Sequence, residues 1–208
     1  MYSCKFFSRF KLTLKSFALF RLGYNLIYYF GDEIRSGRFR GVFWIGLANV
    51  MPDFFFCGFL RPFFWRVAGA QMADISSSVI RKNAFVEHPK NLSVGRNFQM
   101  NRGSYLDASG SITIGDNVTI SLDCKVLTIS HQGKNHEIDV IQSTVLKSHC
   151  IVYAGVTVLP GSTVEEYVLV AAGAVLKGGT RAGGIYAGVP ATFKGYRKDI
   201  DAGLFPST

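Results

Sequence analysis

Four histidines, His88, His131, His136 and His149, are the side chains of this 208-residue chain best suited to move a proton at neutral pH. His131 stands where a regular run of residues stops. The segment that follows, HQGKNHEIDVIQST at 131–144, also holds His136 and Glu137. A histidine at the root of a departure from a regular scaffold is placed to act as a general base on an attacking hydroxyl. Asp107, directly after Leu106, could accept a hydrogen bond from such a hydroxyl. His88 lies beside Pro89 in a turn and reads as a surface residue; His149 reads as structural. A His/Glu/Asp set can also suggest a metal, but the spacing is not that of a zinc site, and no metal is expected.

The scaffold that must hold these residues shows itself as a period. Between Leu92 and His131 a branched or long apolar residue returns every six positions, at Val94, Met100, Leu106, then after a two-residue slip Ile114, Ile120 and Val126. The beat resumes at Val158, Val164, Val170 and Leu176. Six is neither the helical period nor simple strand alternation. A short fixed period marks a solenoid, in which each repeat buries against the next what it could not bury alone. Three six-residue sides make a prism of about eighteen residues per coil. Small and turn-forming residues follow each apolar position, as in Gly115-Asp116-Asn117, and supply the corners. Residues 131–144 break the period, so the chain is expected to leave the prism there. Ile151 and Val158 are seven apart, which predicts a bulge over 152–157. The basic stretch beyond Pro190, with Lys194, Arg197 and Lys198, reads as a short helix.

These motifs resemble those of the hexapeptide-repeat acyltransferases, most closely the galactoside, maltose and nodulation-factor O-acetyltransferase group. The resemblance rests on Val94-Gly95-Arg96-Asn97-Phe98, Asn101, Ile114-Gly115-Asp116-Asn117-Val118, His131, Ala172-Gly173-Ala174 and Ala187-Gly188-Val189-Pro190-Ala191, and covers roughly residues 70 to 195. It implies a mainly β fold, a left-handed parallel β-helix, with an N-terminal helical segment and a short C-terminal tail. It also implies acetyl-CoA as donor, with direct transfer to a sugar hydroxyl. His131 matches the family's catalytic histidine. Asn101 matches an asparagine that contacts the acceptor or the reacting centre. His136 and Glu137 match, displaced by one residue, a second histidine followed by glutamate that could orient the acceptor or His131.

In this group the donor lies along the seam between neighbouring prisms of a homotrimer. The corner at Ala172 and Gly173, together with Gly178, would let backbone approach the pantetheine arm; Lys177, Arg181 and Lys194 could pair with its phosphates. The same glycines could equally do no more than make turns. The motifs do not specify the acceptor; the basic, aromatic N-terminal segment, suited to the inner face of the membrane, motivates a bacterial envelope polysaccharide such as O-antigen or capsule, or its lipid-linked precursor. An N-acetyltransferase of an amino sugar and a non-catalytic, membrane-associated β-helix remain as alternative readings.

Composition divides the chain in two. Residues 1–70 hold ten Lys/Arg against three Asp/Glu, a balance of +7, and 20 of the 29 aromatic residues; residues 71–208 carry only +2. The division predicts a basic, aromatic segment at 1–70, a β-helix domain at 71–195 and a tail at 196–208. Residues 1–31 have the spacing of an amphipathic helix, suited to an anionic membrane surface or to packing on the protein. Residues 41–60 are long enough to span a bilayer, but Pro52-Asp53 in their middle argues against it. A bent interfacial segment or a pair of short packed helices is expected, with 60–70 closing the open end of the solenoid. The charge alone does not make a nucleic-acid binder, because it sits among aromatics that suit lipid better. Cys4, Cys57, Cys124 and Cys150 lack metal-site or CxxC spacing and read as free thiols of a cytoplasmic protein at the inner face of the plasma membrane.

Overall fold

The computed structural model describes residues 37–132 and 138–200, together with Tyr28, Gly31, Glu33 and Ile34. The chain divides into Met1–Arg40 and Gly41–Thr208, and the second unit holds the solenoid. Most of the helix expected over 1–31 lies outside the described residues.

The expected prism is present, a left-handed parallel β-helix of about five turns. Its first face stacks Gln71–Met72, Leu92–Val94, Ile112–Ile114, Thr144–Leu146 and Thr163–Val164. The second stacks Val79–Ile80, Gln99–Met100, Thr119–Ile120, Ile151–Val152, Leu169–Val170 and Gly184–Ala187; the third stacks Phe85–Glu87, Tyr105–Asp107, Lys125–Val126, Thr157–Val158 and Val175–Leu176. All these pairings are parallel and in register, so each inward residue sits on its equivalent one coil below. Met100, Ile120, Val152 and Val170 form one such column, fully buried. A second inward position occurs four residues after the first. It holds Phe98, Val118, Cys150 and Val168 at the first edge, between the first and second faces, and Ala84, Ser104, Cys124, Val156 and Ala174 at the second edge, between the second and third. The six-residue reading saw only one apolar residue per side because this second column is chemically mixed. Burial pushes the Cys150 thiol up to about 12 and raises that of Cys124; Cys57, Cys124 and Cys150 are all free and buried.

Each corner needs one left-handed residue. Asn97, Asn117, His149 and Tyr167 fill that place at the first edge, with φ between 51° and 63°. Asn and His tolerate this conformation better than most residues, whereas Tyr adopts it rarely. Here the rings of His149 and Tyr167 stack, with centroids 4.5 Å apart, which fits the structural role expected for His149. Gly115 answers to a different constraint: a Cβ there would lie 2.6 Å from the backbone nitrogen of Ser148 on the next coil.

Three expectations need correction. Val152 and Val158, both fully buried, are the inward pair and lie six apart; Ile151 is the outward neighbour, so there is no bulge. The stretch after Pro190 is not helical. Thr192–Tyr196 is a strand, antiparallel to Gly184–Ala187, and closes the far end of the second face. The departure from the prism begins at Leu127–Thr128, before His131. Ile129–Gln132 and Ile138–Ile141 form an antiparallel hairpin rather than an irregular loop.

At the other end, helices α1 (Arg38–Val50) and α2 (Phe55–Ala68) realise the packed-pair alternative. Pro52-Asp53 lies in the break between them. Trp65 and Ala68 of α2 and Ile45 and Ala48 of α1 are fully buried. Gly69 follows α2 with φ 125°, and its N–H is bonded to Trp65 and Arg66 carbonyls. No helix among the described residues is long and apolar enough to cross a membrane.

Candidate active site

Two side chains and one backbone bond build the root of the hairpin. Buried Thr128 donates through Oγ1 to the Asp107 carbonyl (2.7 Å) and accepts from the Gly110 N–H (2.8 Å). Thr144 Oγ1 donates to the Leu127 carbonyl (2.8 Å) where the chain re-enters the first face. The N–H of Gln142 donates to the Thr128 carbonyl, closing the base. The hairpin therefore rises from the third edge, between the third and first faces, on a rigid footing. His131 lies on its first arm, exposed, opposite Asp139 in the register. It does not end a prism strand as expected, since Lys125–Val126 ends five residues earlier. His136 and Glu137 lie outside the described residues.

Asp107 sits one coil before the hairpin on the same edge. It is 5% exposed, and its Oδ1 accepts from the N–H and hydroxyl of Ser109 at 3.0 and 2.6 Å. One carboxylate oxygen thus holds the corner through which the chain passes to the next coil. Lys177 and Gly178 stand on this edge two coils after the hairpin, on the order of 10 Å along the axis.

Asn101 lies elsewhere. It follows Met100 at the second edge, half-buried, with its N–H bonded to the Ile120 carbonyl at 2.9 Å. Ala172 and Gly173 share that edge three coils on, roughly 14 Å away. Between them Leu122 and Tyr153 are exposed to 44% and 42%. The sequence reading passed over these two. Their signal was an apolar or aromatic residue in a corner slot that elsewhere takes polar or small residues. Arg181 falls on the first edge, its guanidinium 5.2 Å over the ring of Phe193, and Lys194 is on the terminal strand.

The prism thus brings together His131, Asp107, Lys177 and Gly178 on one edge, and Asn101, Ala172 and Gly173 on another. The run Ser104–Asp107 alone spans about 10 Å of the face between them. The six expected donor residues are spread over all three edges and the terminal strand. The second edge carries exposed apolar surface. Leu122, Tyr153 and Ala172 make an apolar ledge, and a Cβ built on Gly173 would meet nothing within 4 Å. Lys177 and Lys194 are exposed cations of the kind that pair with phosphate. Among the described residues no group of three or more His, Cys, Asp or Glu could hold a metal ion.

This architecture is that of known acetyltransferases. The chain superposes on a hexapeptide-repeat acetyltransferase of Vibrio cholerae O1 biovar eltor, solved with acetyl coenzyme A, with a TM-score of 0.70 and 20% identity over 80% of this chain and 90% of that one. A maltose O-acetyltransferase of Clostridium difficile 630 gives 0.69 and 21% over 78% and 87%. A galactoside acetyltransferase in complex with coenzyme A gives 0.71 and 18% over 79% and 82%. No family model and no curated protein sequence matches the chain.

Proposed function

We propose that this chain is an acetyl-CoA-dependent O-acetyltransferase acting on a sugar hydroxyl of a cell-envelope polysaccharide or its lipid-linked precursor. The observation that carries the reading is His131. It stands on a clamped hairpin, at the one place among the described coils where the acetyltransferase prism is interrupted.

Bound acetyl-CoA supplies an activated acetyl thioester. His131 takes the proton from the acceptor hydroxyl as its oxygen bonds to the acetyl carbon, and returns that proton to the thiolate released when the C–S bond breaks. The amide of Asn101 holds that hydroxyl or donates to the carbonyl oxygen on which charge grows. His136 and Glu137 orient the acceptor, and Asp107 contacts it through the carboxylate oxygen not used by Ser109. Ala172, Gly173 and Gly178 give the donor arm close access to backbone, and Lys177, Arg181 and Lys194 pair with its phosphates. Because His131 and Asn101 lie on different edges of one prism, the reading includes a homotrimer. The third edge of one subunit faces the second edge of the next, giving three equivalent sites at the seams. The basic, aromatic composition of residues 1–70 supports work at the inner face of the plasma membrane, where lipid-linked glycans present their sugars.

The test is incubation with labelled acetyl-CoA and candidate glycan or glycolipid acceptors. His131→Ala is expected to lower turnover by roughly two to four orders of magnitude while acetyl-CoA binding is kept. Near-normal turnover in that variant removes the base assignment. A second arm mixes His131→Ala and Asn101→Ala chains by co-expression. Shared sites predict recovery of activity in roughly a quarter of sites by random assortment around a ring, whereas sites contained in one chain predict none.

A further inference from the structure

The helix pair closing the prism is apolar on both sides. The side against the first coil carries its small and compact residues: Gly41, Ala48, Cys57, Gly58 and Ala68, with Trp65 as the one large ring. The outer side carries the large ones. Phe43, Leu47, Phe55, Phe56, Phe59 and Phe63 are exposed to between 40% and 69%. With their exposed apolar neighbours they make a patch on the order of 1,000 Å², beyond the few hundred usual on a soluble monomer. A helix apolar all round is ordinarily buried in protein or lipid.

The rim of this patch is cationic. Asp53, in the break between the helices, gathers three arginines. Arg61 Nη1 and Arg81 Nε each lie 3.7 Å from its Oδ1, and Arg102 Nε donates to its Oδ2. Arg61 is fully buried and also spans the carbonyls of Ala48, Met51 and Pro52, which fixes the break. Arg102 faces outward, with Lys82 and Arg81 partly buried beside it. Arg102 is 57% exposed, and Arg81 stacks 5.7 Å over the exposed ring of Phe55. Arg81 Nη1 is buried and has no hydrogen-bond partner. Asp53 is the only acidic residue between Gly41 and Gly69. One carboxylate against this many cations leaves net positive charge at the edge of an aromatic surface.

We propose that this outer helix face seats on an anionic lipid bilayer, with the rings of Phe55, Phe56, Phe59 and Phe63 at headgroup depth and Lys82 and Arg102 on lipid phosphate. Charge complementarity selects a lipid surface over a second copy of this chain, which would bring the same cations against each other. The contact deepens the membrane location proposed above and rests on that reading for its use. The prism then stands end-on, with Asn101, next to Arg102 on the second edge, about one helix diameter and one coil from the bilayer, on the order of 15 Å. An acceptor carried by the membrane reaches that edge without leaving it.

The test uses the full chain in co-sedimentation with phosphatidylcholine vesicles, with and without phosphatidylglycerol, and in parallel measures acetyl transfer to a water-soluble sugar. The triple variant Phe55→Ser, Phe59→Ser, Phe63→Ser is expected to stay in the supernatant while keeping its soluble turnover and its circular dichroism. Arg102→Gln is expected to bind zwitterionic vesicles as the parent does and anionic ones about fivefold more weakly. Vesicle binding by the triple variant equal to the parent's overturns the proposal. So does a parent that binds no vesicle, or a triple variant whose only change is a smaller oligomer. Loss of soluble turnover in the parent chain instead strikes the enzymatic reading and leaves the lipid contact standing if the vesicles still pellet it.

Discussion

The prism and the helix pair that closes it use apolar residues in opposite ways. In the prism the large side chains point inward, in columns such as Met100–Ile120–Val152–Val170, and the outward positions are mostly polar or short, such as Ser93, Gln99 and Thr119. In the helix pair Ile45, Arg61 and Trp65 point inward among small residues, and most of the phenylalanines point outward. A repeat that stacks on itself completes its own core. A cap that stacks on one coil needs only a thin layer to do so, and apolar surface beyond that layer has to find another environment. The hairpin is a third case. It leaves the prism from a clamped base and exposes His131 where neither packing nor the repeat requires a histidine.

The comparison can be broken most decisively at the hairpin. His131→Ala is expected to remove roughly two to four orders of magnitude of turnover and to leave the unfolding midpoint in urea where it was; a lowered midpoint would make His131 part of the scaffold. Within the prism, Ile120→Ala empties one place in a fully buried column and should destabilise by about 2–5 kcal/mol. The matching truncation on the outer cap, Phe59→Ala, should change stability in vesicle-free buffer by no more than about 0.5 kcal/mol. Equal losses at the two sites would mean that the cap's outer face is packed in solution.

A smaller effect tests how closely the coils approach. Gly115→Ala should cost about 2 kcal/mol, because the new methyl meets the Ser148 backbone rather than a side chain that could turn away. Circular dichroism melts of this variant beside Gly46→Ala separate crowding from propensity. A Cβ at Gly46 meets nothing within 4 Å, and its helix should gain or hold stability.

A pH-dependent effect concerns Asp53. Desolvation pushes its carboxyl up, but the hydrogen bond from Arg102, the Lys82 N–H and the charge of Arg81 outweigh this and hold it below its ordinary value of 3.8. A depressed folded value means that the stabilisation is fully present above the unfolded value and is lost as pH falls through the folded one. Asp53→Asn should therefore cost about 1 kcal/mol at neutral pH, and the gap to the parent should narrow below about pH 4. A gap that is constant down to acid would place the loss in packing.

Much of the prism was legible because its constraint is local and repeated. An inward residue every sixth position, a left-handed corner and a glycine where coils touch are each visible without knowing what they contact. The same regularity allowed an error at Ile151, an outward neighbour as apolar as the inward Val152 beside it. The position of the hairpin was readable only to within a few residues. Thr128, whose hydroxyl closes its base onto Asp107 and Gly110, has nothing in its own neighbourhood to announce that role. The terminal strand Thr192–Tyr196 was read as a helix because its charges suit either form, and only an open sheet edge on Gly184–Ala187 decides between them.

For the candidate site, residue type pointed to His131 and Asn101, and the tertiary structure decided that they stand on different edges. Sequence distance cannot reveal this, because a coil returns the chain to the same place after 16 to 22 residues, or 32 where the hairpin intervenes, while six residues carry it to another edge. For the cap, composition determined that the first seventy residues are basic and aromatic. Which phenylalanines are left outside, and which arginines Asp53 gathers beside them, depended on helices packed against strands thirty to fifty residues away. That is a matter of shape against the first coil, which no local pattern encodes.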